Sequence, residues 1–310
     1  MVLHTIYLTR HGFRANWSSE PPKAHSSGRI PPDTPLSTYG EQQAQELAAH
    51  LLQVDPRPDI IYSSPFYRCI QTVQPSIDSY AARSDDDGQI CGISIPIHGE
   101  PGLGEWYGAS RTSDPQPAPP KTLQSYFTNF SLDYEPIWTP SPAGETILEL
   151  HERAAFTLAC MIRDLDTHPD GPKCVLICTH AATFMAVSRA LTGFFPEDIT
   201  VQDFHPWTAG LSKFVRRDVG ESTAQRVKNE NDELPKVDWK GGKGVGGGWD
   251  CVVDGDCTFL SGGEERGWRF SGRESFSHAV TAHGVDAGTG LGIVTEIGNK
   301  SLGKDHSRTG

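Results

Sequence analysis

The chain has 310 residues, 36% of them hydrophobic, and 39 Asp and Glu against 27 Lys and Arg give a formal charge of -12. That length can bury one sizeable core, and the acidic balance excludes a chain built to grip nucleic acid through a general basic surface. No apolar run reaches membrane-spanning length or reads as a secretory leader, and seven cysteines without a C-x-x-C pair fit reduced thiols rather than a disulfide framework or zinc site. An intracellular protein, cytoplasmic or nuclear, is expected.

The first β-rich run, His4 to Leu8, leads directly to Arg10 and His11. An imidazole attacks phosphorus usefully only when a fixed cation gathers the phosphoryl oxygens beside it, and an Arg-His pair at a strand end supplies both. Ser37 or Thr38 caps a helix over Gly40 to Leu52. A second β-run, Asp59 to Tyr62, empties into Ser63-Ser64-Pro65. Pro65 fits the first turn of the next helix, which places Arg68 near a helix N-terminus, where free N–H groups and the dipole attract anions. Gly144 to Asp166 carries apolar residues at helical spacing. Lys173 to Cys178 is a continuous apolar run of the kind a buried parallel strand shows, and it ends in Thr179-His180-Ala181-Ala182. The helix Ala182 to Leu191 follows, closed by Gly193. Repeated β-run and helix units predict a three-layer α/β/α fold with a mostly parallel sheet, and active residues at the carboxyl ends of its strands.

Two regions depart from this pattern. Residues 111–143 are rich in proline and aromatic side chains, which predicts an ordered, irregular insertion. It either roofs the active site, favouring an aromatic or otherwise apolar leaving group, or is a surface excursion packed for stability. Beyond a main domain spanning 1–219, residues 220–248 read as a polar and Gly-rich linker ending in the flexible stretch GGKGVGGG. Residues 249–270 read as a β-hairpin around Asp254-Gly255, and 271–310 as a disordered tail. A lone hairpin is marginal, so this Gly-linked segment is expected to dock on the main domain or to pair with a protein partner.

Arg10-His11-Gly12, Leu36 to Ala44 (LSTYGEQQA), the S-x-x-x-R-x-x-Q-T segment around Arg68, the GLGEWYG loop around Glu105 and the strand-end His180 together resemble the histidine phosphatase, or phosphoglycerate-mutase-like, superfamily. The resemblance implies that His11 is the nucleophile, Glu105 the proton donor and His180 the second active-site histidine, with Arg10 and Arg68 binding phosphate. Arg14 and Asn16 lie where relatives often carry further phosphate-pocket residues. On the residues alone, Glu105 also reads as a solvated loop carboxylate. The implied activity is metal-independent, cofactor-free hydrolysis of phosphomonoesters through a phosphohistidine, on a phosphorylated small molecule or a phosphotyrosine-type substrate. The SPFYRC and GEW elements are also similar to the phosphatase domains of the ubiquitin-associated and SH3-containing signalling phosphatases.

The RHG-F-R-x-N-W start together with the Trp-rich C-terminal segment resembles the histidine-phosphatase-like subunits of fungal TFIIIC, the RNA polymerase III transcription factor, and their stand-alone relatives. That implies an alternative role, a non-enzymatic or dual-role subunit that binds protein through 249–270, without direct nucleic-acid or membrane binding. On either reading the site is expected to hold no metal.

Overall fold

The computed structural model describes residues 2–18, 33–82, 95–109, 115–168, 171–219, 233–271 and 292–295. Strands β1 (Thr5–Arg10), β2 (Ile60–Ser63), β3 (Ile97–Gly99) and β4 (Cys174–Thr179) pair in parallel in the order β3-β2-β4-β1. The sheet continues antiparallel through β5 (Leu211–Arg216) and β6 (Trp249–Asp256). It is thus mixed and mostly parallel, and its central strands β1 and β4 are buried along their whole length.

Side-chain alternation divides the core into two faces. Ile6 and Leu8 of β1 and Val175 and Ile177 of β4 pack with helices α4 (Ile147–Thr167) and α5 (Ala181–Thr192). Tyr7, Leu176 and Cys178 point the other way, into the core shared by α1 (Thr38–Leu51), α2 (Tyr67–Ala81) and Leu123 of the short α3 (Pro120–Tyr126). The result is the expected three-layer sandwich.

The helix ends follow local chemistry. Ser37 caps α1, its hydroxyl accepting from the Gly40 N–H at 3.0 Å. Thr146 and Glu149 form a capping box on α4, so this helix starts at Ile147 rather than Gly144. Gly193 closes α5 in the left-handed region, at φ +81°. Pro65 lies ahead of α2 rather than in its first turn, and Arg68 is the helix's second residue. The six described cysteines are free thiols. Among the described residues no helix is long and apolar enough to cross a membrane.

The C-terminal third differs from its sequence expectation. The segment 249–270 does supply two strands, but they do not pair with each other. β6 extends the main sheet beside β5, and β7 (Gly267–Phe270) pairs with β8 (Gly292–Thr295), which falls inside the expected tail. The rest of that tail, 272–291 and 296–310, and residues 220–232 of the expected linker lie outside the described residues.

The Gly-rich stretch is packed rather than free. Gly244 N–H donates to Trp239 O at 2.8 Å, Gly242 N–H to Gly193 O at 2.9 Å, and Val245 is buried. A Cβ at Gly244, itself at φ +66°, would meet the Leu191 carbonyl at 2.2 Å. Glycine here permits left-handed backbone and close approach, which composition alone cannot tell from a linker. Trp239, Trp249, Trp268 and Phe270 are all buried in the α4/α5 core, so the C-terminal segment is part of the domain's interior.

Candidate active site

β1 and β4 are neighbours with Arg10 opposite Thr179, so His11 and His180 leave the sheet side by side at its carboxyl edge. Their rings lie 5.4 Å apart, centroid to centroid, nearly edge to face. His11 N–H donates to Thr179 O at 3.0 Å. The loop beyond is fastened by residues of the two motif helices. Gly12 N–H donates to Thr72 Oγ1 at 3.0 Å and Phe13 N–H to Gln43 Oε1 at 2.9 Å. A Cβ at Gly40 would stand 2.1 Å from the Phe13 carbonyl, so only glycine lets α1 approach this closely.

His11 is buried, and its Nδ1 lies 2.8 Å from Gly12 O. A carbonyl can only accept, so Nδ1 carries the hydrogen and Nε2 keeps the lone pair. Burial, with Arg68, Arg10, His180 and Arg14 nearby, holds the imidazole well below its usual pKa. It is therefore neutral and nucleophilic at physiological pH.

Arg68 sits at the centre of the charged cluster. Its Nη2 lies 3.0 Å from Glu105 Oε2 and 3.0 Å from His180 Nδ1, and its Nη1 donates to Asp33 Oδ1 at 3.1 Å. His180 Nδ1 is also 3.2 Å from Glu105 Oε2, and its Nε2 lies 2.7 Å from Ser64 Oγ. Burial alone would raise the Glu105 pKa, yet His180, Arg68 and Arg14 outweigh it and hold the carboxyl at about 2. Burial would likewise lower that of His180, but Cys69 and Glu105 keep it above its ordinary value. Glu105 is thus a buried carboxylate beside His180 rather than a solvated loop acid.

The loop bearing Glu105 is held from behind. Arg153 Nη1 donates to Gly102 O at 2.7 Å, Thr183 Oγ1 to Gly104 O at 2.7 Å and Thr179 Oγ1 to Leu103 O at 2.6 Å. Buried Glu100 ties the insertion to the same loop, accepting from Gly102 N–H at 2.7 Å, Tyr134 Oη at 2.6 Å and Ile137 N–H at 2.8 Å. Of the described part of the insertion, Pro117, Thr139 and Pro140 line an open cleft together with Phe66, Glu105 and Tyr107. The insertion therefore walls a cleft that opens on Glu105.

Arg10 and Arg14 stand on the other side, their guanidinium groups 5.5 and 5.3 Å from the centroid of the Trp17 ring, itself 5.8 Å from His11. Asn16 is exposed on the 3-10 turn Ala15–Trp17, and no hydrogen bond joins it to the cluster among the described residues. Sequence reasoning missed Asp33, whose carboxyl also accepts from Tyr67 N–H and is pushed up to about 6 by burial, against the pull of Arg68. No motif pointed to it. It also missed the C-terminal contribution, in which Arg10 Nη1 donates to Arg266 O at 2.5 Å and to Pro206 O at 3.0 Å.

Donor atoms of His11, Glu105 and His180 lie within 4.8 Å of one another, a spacing that a divalent cation can span. Arg68 already fills that corner with positive charge, and His11 keeps one nitrogen occupied by Gly12. Three guanidiniums beside two histidines suit a tetrahedral oxyanion better than a metal ion.

A family model of the histidine phosphatase superfamily, branch 1, matches residues 6–230, and the chain belongs to that superfamily. It is 31% identical over 278 residues to the transcription factor tau 55 kDa subunit of Saccharomyces cerevisiae, a match covering 87% of this chain and 59% of that protein. It is 29% identical over 164 residues to an ecdysteroid-phosphate phosphatase of Drosophila melanogaster, covering 53% of this chain and 20% of the relative. The chain thus spans only part of these relatives' length. The crystal structure of the ecdysone phosphate phosphatase from Bombyx mori in complex with tungstate shares the fold, with a TM-score of 0.51 at 21% identity over 72% of this chain and 97% of that one.

Proposed function

We propose that the chain hydrolyses phosphomonoesters through a phosphohistidine on His11. The observation that carries this reading is the buried, neutral His11, its tautomer fixed by Gly12 O, set beside the Arg68, Glu105 and His180 cluster. The Nε2 lone pair forms the P–N bond as the P–O ester bond breaks, and the leaving oxygen takes a proton from Glu105. Water then attacks phosphorus, giving its proton to Glu105 as the P–N bond breaks, and releases inorganic phosphate and neutral His11. Arg68, Arg10 and His180 hold the equatorial oxygens. Glu105 is anionic in the free site, so its proton must come with substrate. Phosphate charge entering the Arg68 and His180 corner raises the carboxyl pKa, and a singly protonated phosphoryl group carries the proton in.

The proline-lined cleft beside Glu105 supports an aromatic or otherwise apolar leaving group, as in a phosphotyrosine-type substrate. Turnover of p-nitrophenyl phosphate without added metal, with a phosphoryl adduct on His11 that the His11→Ala chain lacks, is the expected result. Equal turnover by both chains overturns the mechanism.

Similarity to the tau subunit over 87% of this chain supports a second role, in which the same fold serves as a subunit of a nuclear TFIIIC-type assembly. The outer edge of β6 leaves Val252 and Val253 exposed, a surface suited to a protein partner. Co-purification with the other subunits of such an assembly, lost on Val252→Lys and Val253→Glu, tests it.

A further inference from the structure

Residue 266 lies beyond the region that the superfamily model matches, yet its side chain stands over the Trp17 ring that neighbours His11. Its guanidinium is 4.9 Å from the centroid of the Trp17 ring and 5.0 Å from that of Phe13. With Arg10 and Arg14 it is the third cation around Trp17, whose ring neighbours His11. Its backbone is held at φ +53°, a left-handed conformation that an arginine adopts only when its surroundings impose it. Those surroundings are the Arg10 hydrogen bond to the Arg266 carbonyl, and two bonds to Glu265: Thr208 N–H to its carbonyl at 3.2 Å and Gln43 Nε2 to its Oε2 at 3.1 Å. The fold thus spends backbone strain to place this side chain.

Among the described residues Arg266 makes no ion pair within bonding distance and no side-chain hydrogen bond; it packs on the two rings, and its charge acts on the neighbouring Glu265 carboxyl. Three like charges grouped around one ring repel, and an incoming anion relieves that repulsion. Arg10 and Arg14 act electrostatically on His11, where the transferred phosphoryl group sits, whereas Arg266 lies one ring further out. We propose that Arg266 is a specificity-determining residue, whose guanidinium fork takes a second anionic group, a carboxylate or a second phosphate, on the phosphorylated substrate. The proposal rests on the phosphatase reading for the position of the first phosphoryl group.

The test uses the full chain and two substrate pairs that separate the two sources of anion. One pair is a phosphotyrosyl peptide with glutamate beside the phosphotyrosine and the same peptide with alanine there. The other is glucose 1,6-bisphosphate and glucose 6-phosphate. The readout is the preference in kcat/KM for the doubly anionic member, a ratio that a merely structural role of Arg266 does not move. Arg266→Gln is expected to lower that preference by about tenfold to a hundredfold in one pair, through KM rather than kcat, with Arg266→Lys restoring part of it. An unchanged ratio in both pairs overturns the proposal. Failure of the phosphatase reading shows separately, as no turnover of any substrate by the unmodified chain. In that case the same ratios are read as dissociation constants on the His11→Ala chain by calorimetry, and an Arg266→Gln change that leaves them unaltered again overturns the proposal.

Discussion

The parallel and antiparallel halves of the sheet contribute to one site by different physics. Strands β1, β2 and β4 deliver His11, Arg68 and His180 from their carboxyl ends, where strand polarity and the turn into each helix fix the direction of exit. The antiparallel half and the segments around it contribute none of the proposed reacting groups. The flanking residues Pro206 and Arg266 supply two carbonyls that orient Arg10, and Trp249 of β6 with Trp268 and Phe270 of the separate strand β7 fill the core beneath α5. On the proposed mechanism one half carries the chemistry and the C-terminal segments hold a cation in place, so a division between catalytic domain and appendage does not follow the chain.

That comparison is sharpened first by His11→Ala, which removes the proposed nucleophile of the parallel half. A loss of at least about 10⁴-fold in kcat is expected, with an unfolding midpoint close to that of the unmodified chain in a thermal melt. Truncation after Lys240 strikes the other half. It removes β6 and β7 with three buried aromatics, any one of which costs about 3–5 kcal/mol when cut to alanine. The shortened chain is expected to unfold at much lower urea and to lose activity. Retention of both would restore the picture of a separable tail.

Arg68→Ala should lower kcat/KM by about 10²- to 10³-fold, since it deletes a preorganised donor from the site. The smallest effect belongs to Asp33, whose carboxyl titrates at about 6. Below that pH it is neutral and leaves the Arg68 charge to the substrate, and above it the carboxylate offsets that charge. Thus kcat/KM should fall by up to about tenfold as pH rises through 6, one pKa unit's worth of interaction. The same profile for Asp33→Asn should lack this step while keeping any ionisation of the substrate, so identical profiles would remove Asp33 from the site's electrostatics.

Much of the parallel half is legible in the sequence because its signals are local. A continuous apolar run such as Lys173 to Cys178 has few alternatives to a buried strand, and His180 at its end is placed by the turn that follows. Ser37 and Gly193 mark their helix ends by side-chain and backbone chemistry that needs no partner. Asp33 carries no such mark. Only the fold brings it against Arg68, and its burial comes from surfaces distant in the chain. The stretch GGKGVGGG misleads for a related reason, since a glycine chosen for close packing and one chosen for freedom look alike until the neighbouring Leu191 carbonyl is in view.

The sequence by itself determined the layered α/β architecture, the Arg10-His11 and His180 strand ends, and the place of Arg68 at a helix start. Periodicity, capping and strand-end position are properties of a few consecutive residues. Only the tertiary structure decided that Glu105 is a buried anion paired with His180, that the insertion walls a cleft beside it, and that Arg266 reaches the site from the far end of the chain. These depend on desolvation and on contacts between residues distant in the chain, 256 positions apart for Arg10 and Arg266, and no local pattern encodes such burial and charge.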